Sequence, residues 1–323
     1  MKKLISITLS ILMIASTMIL CVGAVSDQGQ KTESISMTVY DPETGEETVE
    51  TYQVNADIIA ALSAQSKASA QTAAMESYSV ADQTLDLLGG SYSFVTGTDL
   101  VKVNNTTVMP YSPIGFFKTF KTLNILNGLA TAFMISDNVA VTAAHCLYDK
   151  DNGKWIGSGY FYPGKHGFGV GNDPYGRAYA RKWAVCTQYI ENTNEKLNHL
   201  YDWGAFVLDN PIGNKCGKLT MSPLSFYEIS NKNIMTAGYP QESVGMPINY
   251  YQYKQQSTAT TVEDNYFIAP IVCEKGQSGS PVFVNNTVCG IVSGRGNNDT
   301  YSNYTRINDT VYAYLMQYAA DNA

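Results

Sequence analysis

Gly276-Gln277-Ser278-Gly279-Ser280-Pro281, near the end of a 323-residue chain, follows Thr142-Ala143-Ala144-His145-Cys146 and Tyr201-Asp202-Trp203-Gly204-Ala205. The order His, Asp, Ser assembles the three groups that a nucleophilic hydroxyl requires. A serine hydroxyl is weak at neutral pH, so it needs a base within hydrogen-bond reach, and that base needs a buried carboxylate to fix its tautomer and stabilise its charge. Histidine suits the role because its unperturbed pKa lies near working pH.

The chain has three histidines, so the base follows by elimination. His166 sits in a glycine-punctuated turn, Pro163-Gly164-Lys165-His166-Gly167, and His199 in a polar loop approach, Glu195-Lys196-Leu197-Asn198-His199, where a solvated side chain is expected. His145 instead ends the apolar run Asn138-Val139-Ala140-Val141-Thr142-Ala143-Ala144, which reads as a buried strand leading into a site. Two carboxylates compete to orient it. Asp209 precedes the turn signature Asn210-Pro211-Ile212-Gly213 and reads as a loop cap. Asp202 opens the apolar strand Trp203-Gly204-Ala205-Phe206-Val207-Leu208, which carries it inward.

Around the nucleophile, the glycines allow a sharp turn that lets the backbone N–H groups of Gly276 and Ser278 converge where a tetrahedral intermediate places its oxyanion. The nucleophile elbow Gly-x-Ser-x-Gly is excluded, because Ser280 stands where it requires glycine and the order of the three residues differs.

Short apolar runs such as Ile234-Met235-Thr236-Ala237, Tyr266-Phe267-Ile268-Ala269 and Val282-Phe283-Val284, separated by Gly, Pro and Asn, predict an all-β architecture. A closing helix is predicted over Asp309–Met316, where apolar residues recur at helical spacing.

At the other end, Lys2 and Lys3 precede an apolar stretch from Leu4 to Val22 and the small pair Gly23-Ala24, the layout of a signal peptide over 1–24. A membrane anchor is the competing reading, but the run is short for spanning. Leu20 is too bulky to precede a lipidated Cys21. Residues 25–92 hold two lysines against eleven acidic residues, with no cysteine and no tryptophan, whereas 93–323 balance seventeen basic against seventeen acidic residues. The net charge of −7 therefore belongs to a removable segment. The Ala-rich Asn55–Met75 stretch favours helix within it, and a disordered linker is the alternative.

These motifs, together with Asn104-Asn105-Thr106-Thr107, Cys146-Leu147-Tyr148-Asp149, Ala237-Gly238-Tyr239-Pro240 and Tyr304-Thr305-Arg306-Ile307, resemble the secreted bacterial glutamyl endopeptidases of the chymotrypsin-like serine proteases from about Ser93 onward. The resemblance implies two antiparallel six-stranded β-barrels over 93–323, with His145 and Asp202 from the first and Ser278 from the second. It implies peptide-bond hydrolysis on protein or peptide substrates, a propeptide over 25–92 opened by an activating protease, and an extracellular location. Gln277 replaces the aspartate that captures the new N-terminus in trypsin-like zymogens, so that switch is not expected.

By the same resemblance, the specificity pocket is bordered by Val272, Cys273, Val292 and Ser293, with Val292 at the position of the relatives' carboxylate-binding histidine. Arg295 is the candidate substitute, since a guanidinium binds a carboxylate bidentately. A solvated loop arginine is the other reading, and Glu274 in the wall would repel an acidic side chain.

Five cysteines follow the leader, an odd count that predicts disulfide bonding with one thiol left over. Cys273 and Cys289 flank the serine loop, while Ala130 stands where relatives carry the partner of Cys146. No Cys-x-x-Cys or His-x-x-x-His spacing supports zinc, and no cofactor is expected. The balanced charge of 93–323 and the lack of a basic run exclude a nucleic-acid reading, and no later stretch is long enough to insert in a membrane. A protease-fold binding or adhesion protein without turnover is the alternative function.

Overall fold

The computed structural model describes residues 33–54, 57–58, 60–61, 99–121, 125–242, 248–296 and 299–323. The expected signal peptide, most of the Ala-rich stretch and the expected boundary at 92/93 lie outside the described residues.

In chain order the strands are β1 (Glu33–Tyr40), β2 (Glu47–Val54), β3 (Val101–Lys102), β4 (Ile114–Phe120), β5 (Leu126–Met134), β6 (Val139–Thr142), β7 (Tyr148–Asp149), β8 (Lys154–Trp155), β9 (Ser158–Pro163), β10 (Ala178–Cys186), β11 (Gly204–Leu208), β12 (Asn233–Gly238), β13 (Tyr253–Thr258), β14 (Thr261–Val262), β15 (Tyr266–Ala269), β16 (Pro281–Val284), β17 (Thr287–Arg295) and β18 (Ser302–Arg306). Their arrangement is the expected all-β, two-barrel one.

The first barrel runs β6-β5-β4-β9-β10-β11 and closes because β11 pairs with both β10 and β6. Closure removes the free edges of the sheet and buries the inward residues of every strand. The rings of Phe117 and Phe206 stack at 4.5 Å in its interior, with Phe161 and Trp183 against them. Gly115 is glycine for lack of room: a Cβ there would lie 2.3 Å from the Phe161 ring.

A second sheet, with its long strands ordered β15-β18-β17-β16-β12-β13, curls into a half-barrel. Side-chain amides bridge the space between β13 and the segment after β15. Gln255 on β13 donates to the Val272 carbonyl at 3.5 Å and accepts from Gln277 at 2.9 Å. The chain closes with the helix Asp309–Asp321, started by the Asn308 side chain accepting the Val311 N–H at 3.0 Å. Its buried Tyr312, Tyr314, Leu315 and Tyr318 join the core of the first barrel.

Two features depart from the sequence reading. Residues 33–54, within the expected removable segment, form an antiparallel hairpin whose inner strand β1 pairs with β10, so the segment extends the barrel sheet. The expected disulfides are absent: Cys146, Cys186, Cys216, Cys273 and Cys289 are all free and buried. Each sits in the apolar interior as a small hydrophobe. Burial pushes the thiols of Cys186, Cys216 and Cys289 up to about 12 and that of Cys273 up to about 11. Among the described residues no helix is long and apolar enough to cross a membrane.

Candidate active site

Strand pairing brings the histidine and the aspartate together. Thr142 of β6 is paired with Gly204 of β11 in antiparallel register, so the turn that follows β6 and the residues that precede β11 leave the barrel at the same end. His145 lies in that turn, Ala144–Cys146, and Asp202 two residues before β11. Asp202 is 3% exposed, and its carboxylate takes hydrogen bonds from three sides. Oδ2 lies 2.8 Å from His145 Nδ1, Oδ1 accepts the His145 backbone N–H at 2.9 Å, and the Ser293 hydroxyl donates to Oδ2 at 2.5 Å.

Those contacts set the charges. Burial alone would lower the His145 pKa, but the Asp202 carboxylate overrides it and holds the imidazole well above its ordinary value. Burial would raise the Asp202 carboxyl, but His145 and the donated hydrogen bonds hold it below its ordinary value. The pair therefore favours a protonated ring beside an ionised carboxylate, the charge state needed once a base has taken a proton.

Ser278 comes from the other barrel, in the loop between β15 and β16. The loop turns through Gly276 at φ +90° and Gly279 at φ +83°, where side chains are strained. Space forbids them too: a Cβ on Gly276 would lie 2.3 Å from the Tyr239 carbonyl, and one on Gly279 2.1 Å from Thr142 Oγ1. Within the loop, the amides of Gln277, Gly279 and Ser280 donate to the carbonyls of Glu274, Val292 and Gln277 at 2.9–3.0 Å. The amides of Gly276 and Ser278 donate to no backbone carbonyl among the described residues. Gln277 is fully buried; its side chain accepts from the Glu274 amide at 2.7 Å and donates to Gln255, which makes it an anchor of the loop.

One residue that the sequence reading missed joins the loop to the first barrel. Thr131, on β5 and fully buried, donates its backbone N–H to the Ser278 carbonyl at 2.9 Å and its hydroxyl to the Gly276 carbonyl at 2.8 Å. The same hydroxyl accepts the Tyr239 N–H at 3.0 Å, and the Thr131 carbonyl accepts from Thr142 Oγ1 at 2.8 Å. These partners are remote in sequence, and a threonine within a strand carries no local signal of them.

Around the expected pocket, the Cys273 amide donates to Ser302 Oγ at 2.9 Å and the half-buried Val272 carries the carbonyl that accepts from Gln255. Val292 is buried in β17 and pairs through its backbone with Gly279 and Ser280, so the strand and the serine loop are tied together. Ser293, read from sequence only as a pocket residue, also reaches Asp202. Arg295 is exposed at the end of β17 but engaged: its Nε donates to the Cys273 carbonyl at 2.6 Å and its guanidinium pairs with Glu242. Glu274 accepts the Glu242 amide at 3.0 Å, and Lys275 stands 3.7 Å from the Glu242 carboxylate.

The remaining candidates lie elsewhere. His166 packs edge-on to Tyr251, and His199 is half-buried edge-on to Tyr266 rather than solvated, with its pKa lowered by burial. Asp209 accepts the Tyr179 amide at 2.9 Å. Among the described residues no three His, Cys, Asp or Glu side chains are grouped as metal ligands would be.

The sequence model of the trypsin family matches residues 112–315, more than half of the chain and all three segments of the site. The chain belongs to the trypsin family. Within that family it is 29% identical over 193 residues to the glutamyl endopeptidase of Bacillus licheniformis, covering 59% of this chain and 54% of the relative, so the match spans about half of that protein's length. It is 25% identical over 232 residues to a Bacillus subtilis protein named extracellular metalloprotease, covering 70% of each. A solved Glu endopeptidase superposes with a TM-score of 0.60 at 23% identity over 70% of this trypsin-family chain and 100% of its own. The protease Anisep of Arthrobacter nicotinovorans does so at 0.55 and 18%, over 69% and 100%. At these identities the two structures establish the shared fold.

Replacing Thr131 by Val keeps its shape and removes a hydroxyl that serves two buried backbone groups, each costing ~1–3 kcal/mol when left unsatisfied. Because one of them shapes the serine loop, kcat/KM for peptide hydrolysis should fall by roughly ten- to a hundredfold. A far smaller fall, read in steady-state kinetics of the folded variant, would remove Thr131 from the site.

Proposed function

We propose that the chain is a secreted serine endopeptidase made as a zymogen. The observation that carries this reading is the buried Asp202 carboxylate, which holds both the backbone and the ring of His145 beside a serine loop with two unengaged amides. Ser278 Oγ attacks the substrate carbonyl carbon while His145 takes its proton, and Asp202 fixes the ring tautomer and balances the imidazolium. The N–H groups of Gly276 and Ser278 receive the oxyanion of the tetrahedral intermediate. Collapse breaks the C–N bond, His145 returns the proton to the leaving amine, and an acyl-enzyme forms on Ser278. Water, deprotonated by His145, then attacks the ester and releases the acid. No cofactor enters these steps.

Secretion through residues 1–24 and cleavage of the 25–92 propeptide from the rest of the chain by an activating protease complete the proposal, with support from the leader-like sequence and the acidic character of that segment. The pocket assigned to Val272, Cys273, Val292, Ser293 and Arg295 carries one guanidinium, and Glu242 and the Cys273 carbonyl already bind it. A substrate carboxylate has to compete with Glu242, so the preference for Glu or Asp before the scissile bond is weak, no more than about tenfold over Leu, which is ~1.4 kcal/mol.

Three measurements test this function. The processed protein should react with a fluorophosphonate probe and cleave a peptide library, and Ser278→Ala should abolish both; absence of labelling after processing would favour a binding protein without turnover. Only the neutral ring can accept the serine proton, so the raised His145 pKa moves the rise of kcat/KM with pH above the ordinary 6.5 of imidazole. An inflection at or below that value would contradict the Asp202 coupling. Glu242→Gln should free Arg295 and increase the ratio of kcat/KM for Glu over Leu substrates by about tenfold; an unchanged ratio would detach Arg295 from specificity.

A further inference from the structure

The hairpin β1–β2 precedes the expected catalytic domain, yet it is built into the first barrel. On its inner strand, Ile35, Met37 and Val39 alternate toward the core, with Met37 fully buried, and Val54 at the end of the outer strand is 4% exposed. Backbone register runs Met37 to Cys186 through Tyr40 to Trp183 on β10, which itself pairs with β11 beside Asp202.

Side chains lock both ends of the hairpin. Near the turn, the Tyr40 ring stacks on Trp155 at 4.9 Å and 7°, and the Trp155 indole N–H donates to Glu47 at 2.7 Å. Trp155 in turn lies edge-on to Tyr148, three residues after His145. At the far end, Tyr52 meets Tyr314 edge-on at 4.8 Å, and Tyr314 meets Trp203, the residue after Asp202, at 5.5 Å. Thr38 and Thr187 share a buried hydrogen bond at 3.1 Å. Among the described residues none of the hairpin's hydrogen bonds, ion pairs or ring contacts reaches the serine loop or β17. Its contacts lie on the outer wall of the barrel, against the elements that present His145 and Asp202, so it does not act as a plug in the cleft.

We propose that residues 33–54 remain docked after the chain is cut between 62 and 98, and that the working protein is a two-chain assembly in which the hairpin is a noncovalent sheet partner of β10. Alternating apolar residues supply burial, the backbone supplies pairing, and the Tyr40–Trp155 stack and the edge-on Tyr52–Tyr314 contact fix register, as in recognition by strand addition. The turn of the hairpin and the start of its outer strand carry the exposed Glu43, Glu46 and Glu47, which put charge at that end of the free edge, a feature that discourages further strands from adding. The hairpin thereby supports the His145–Asp202 pair from behind, as a positioning element.

The proposal does not require turnover at Ser278, and its test uses the full chain carrying Ser278→Ala, with the recognition sequence of an unrelated protease inserted between residues 76 and 92. After complete digestion, the N-terminal fragment should co-elute with the remainder on size exclusion at micromolar concentration and separate only in denaturant. Met37→Asp should release the fragment once the chain is cut. Should that variant fail to fold before cutting, Tyr52→Ser, which removes the ring of a half-buried residue from its contact with Tyr314, should shift elution toward free fragment. Separation of the unsubstituted fragment under native conditions, whether or not the remainder stays soluble, would overturn the proposal. Co-elution unaffected by both substitutions would also overturn it, since the fragment would then be held elsewhere.

Discussion

The hydroxyl and amide of Thr131 hold the serine loop of one barrel against the wall of the other. Together with the Ser293–Asp202 bond, that connection ties the body carrying Ser278, the proposed nucleophile, to the body carrying His145, its proposed base. With it, the carbonyls of Gly276 and Ser278 are pinned, and the orientation of the intervening peptides is fixed from outside the loop. Of the two positive-φ glycines, Gly279 follows from the same constraint, because the loop there passes too close to β5 and β6 for a side chain, while Gly276 is closed off by the Tyr239 carbonyl and Gln241. A catalytic constellation divided between domains needs such a seam, since misplacement by about 1 Å is costly to rate.

The second constraint is electrostatic. A carboxylate at 3% exposure is expensive to ionise unless its lone pairs are occupied. Asp202 meets this demand with one bond from its barrel's own backbone, one from the imidazole and one from Ser293 of the other barrel. The interactions that make the charge tolerable are thus those that orient the base and couple the barrels. Stability and proton transfer draw on one set of contacts, so substitutions around Asp202 affect both.

Much of this was legible in the sequence because the chemistry allows few residue types. With three histidines and two plausible carboxylates, flanking apolar runs pointed to His145 and Asp202, whose side chains meet at 2.8 Å, and the strands around them appear as β6 and β11. What was not legible depends on residues far apart in the chain. Thr131 and Gly276 are 145 positions apart, and Arg295 and Glu242 are 53 apart, so neither bond leaves a local trace. The state of the cysteines is similar: an odd count shows that pairing is incomplete, but bonding requires two thiols within reach, which only the fold decides. The hairpin did leave a signal, the alternation of Ile35, Met37 and Val39. Charge and composition, which describe a segment as a whole, concealed it.

The five buried free thiols bear on how the molecule reaches its folded state. Small exported domains commonly depend on oxidative cross-links because their cores are too small, whereas a chain of this size can bury enough apolar surface without them. Its folding then includes no thiol–disulfide exchange, no isomerase-dependent search among pairings and no sensitivity of the final connectivity to the redox poise of the compartment. The same native structure is accessible in a reducing cytosol and in an oxidising exterior, and thiol reductants leave its covalent framework unchanged.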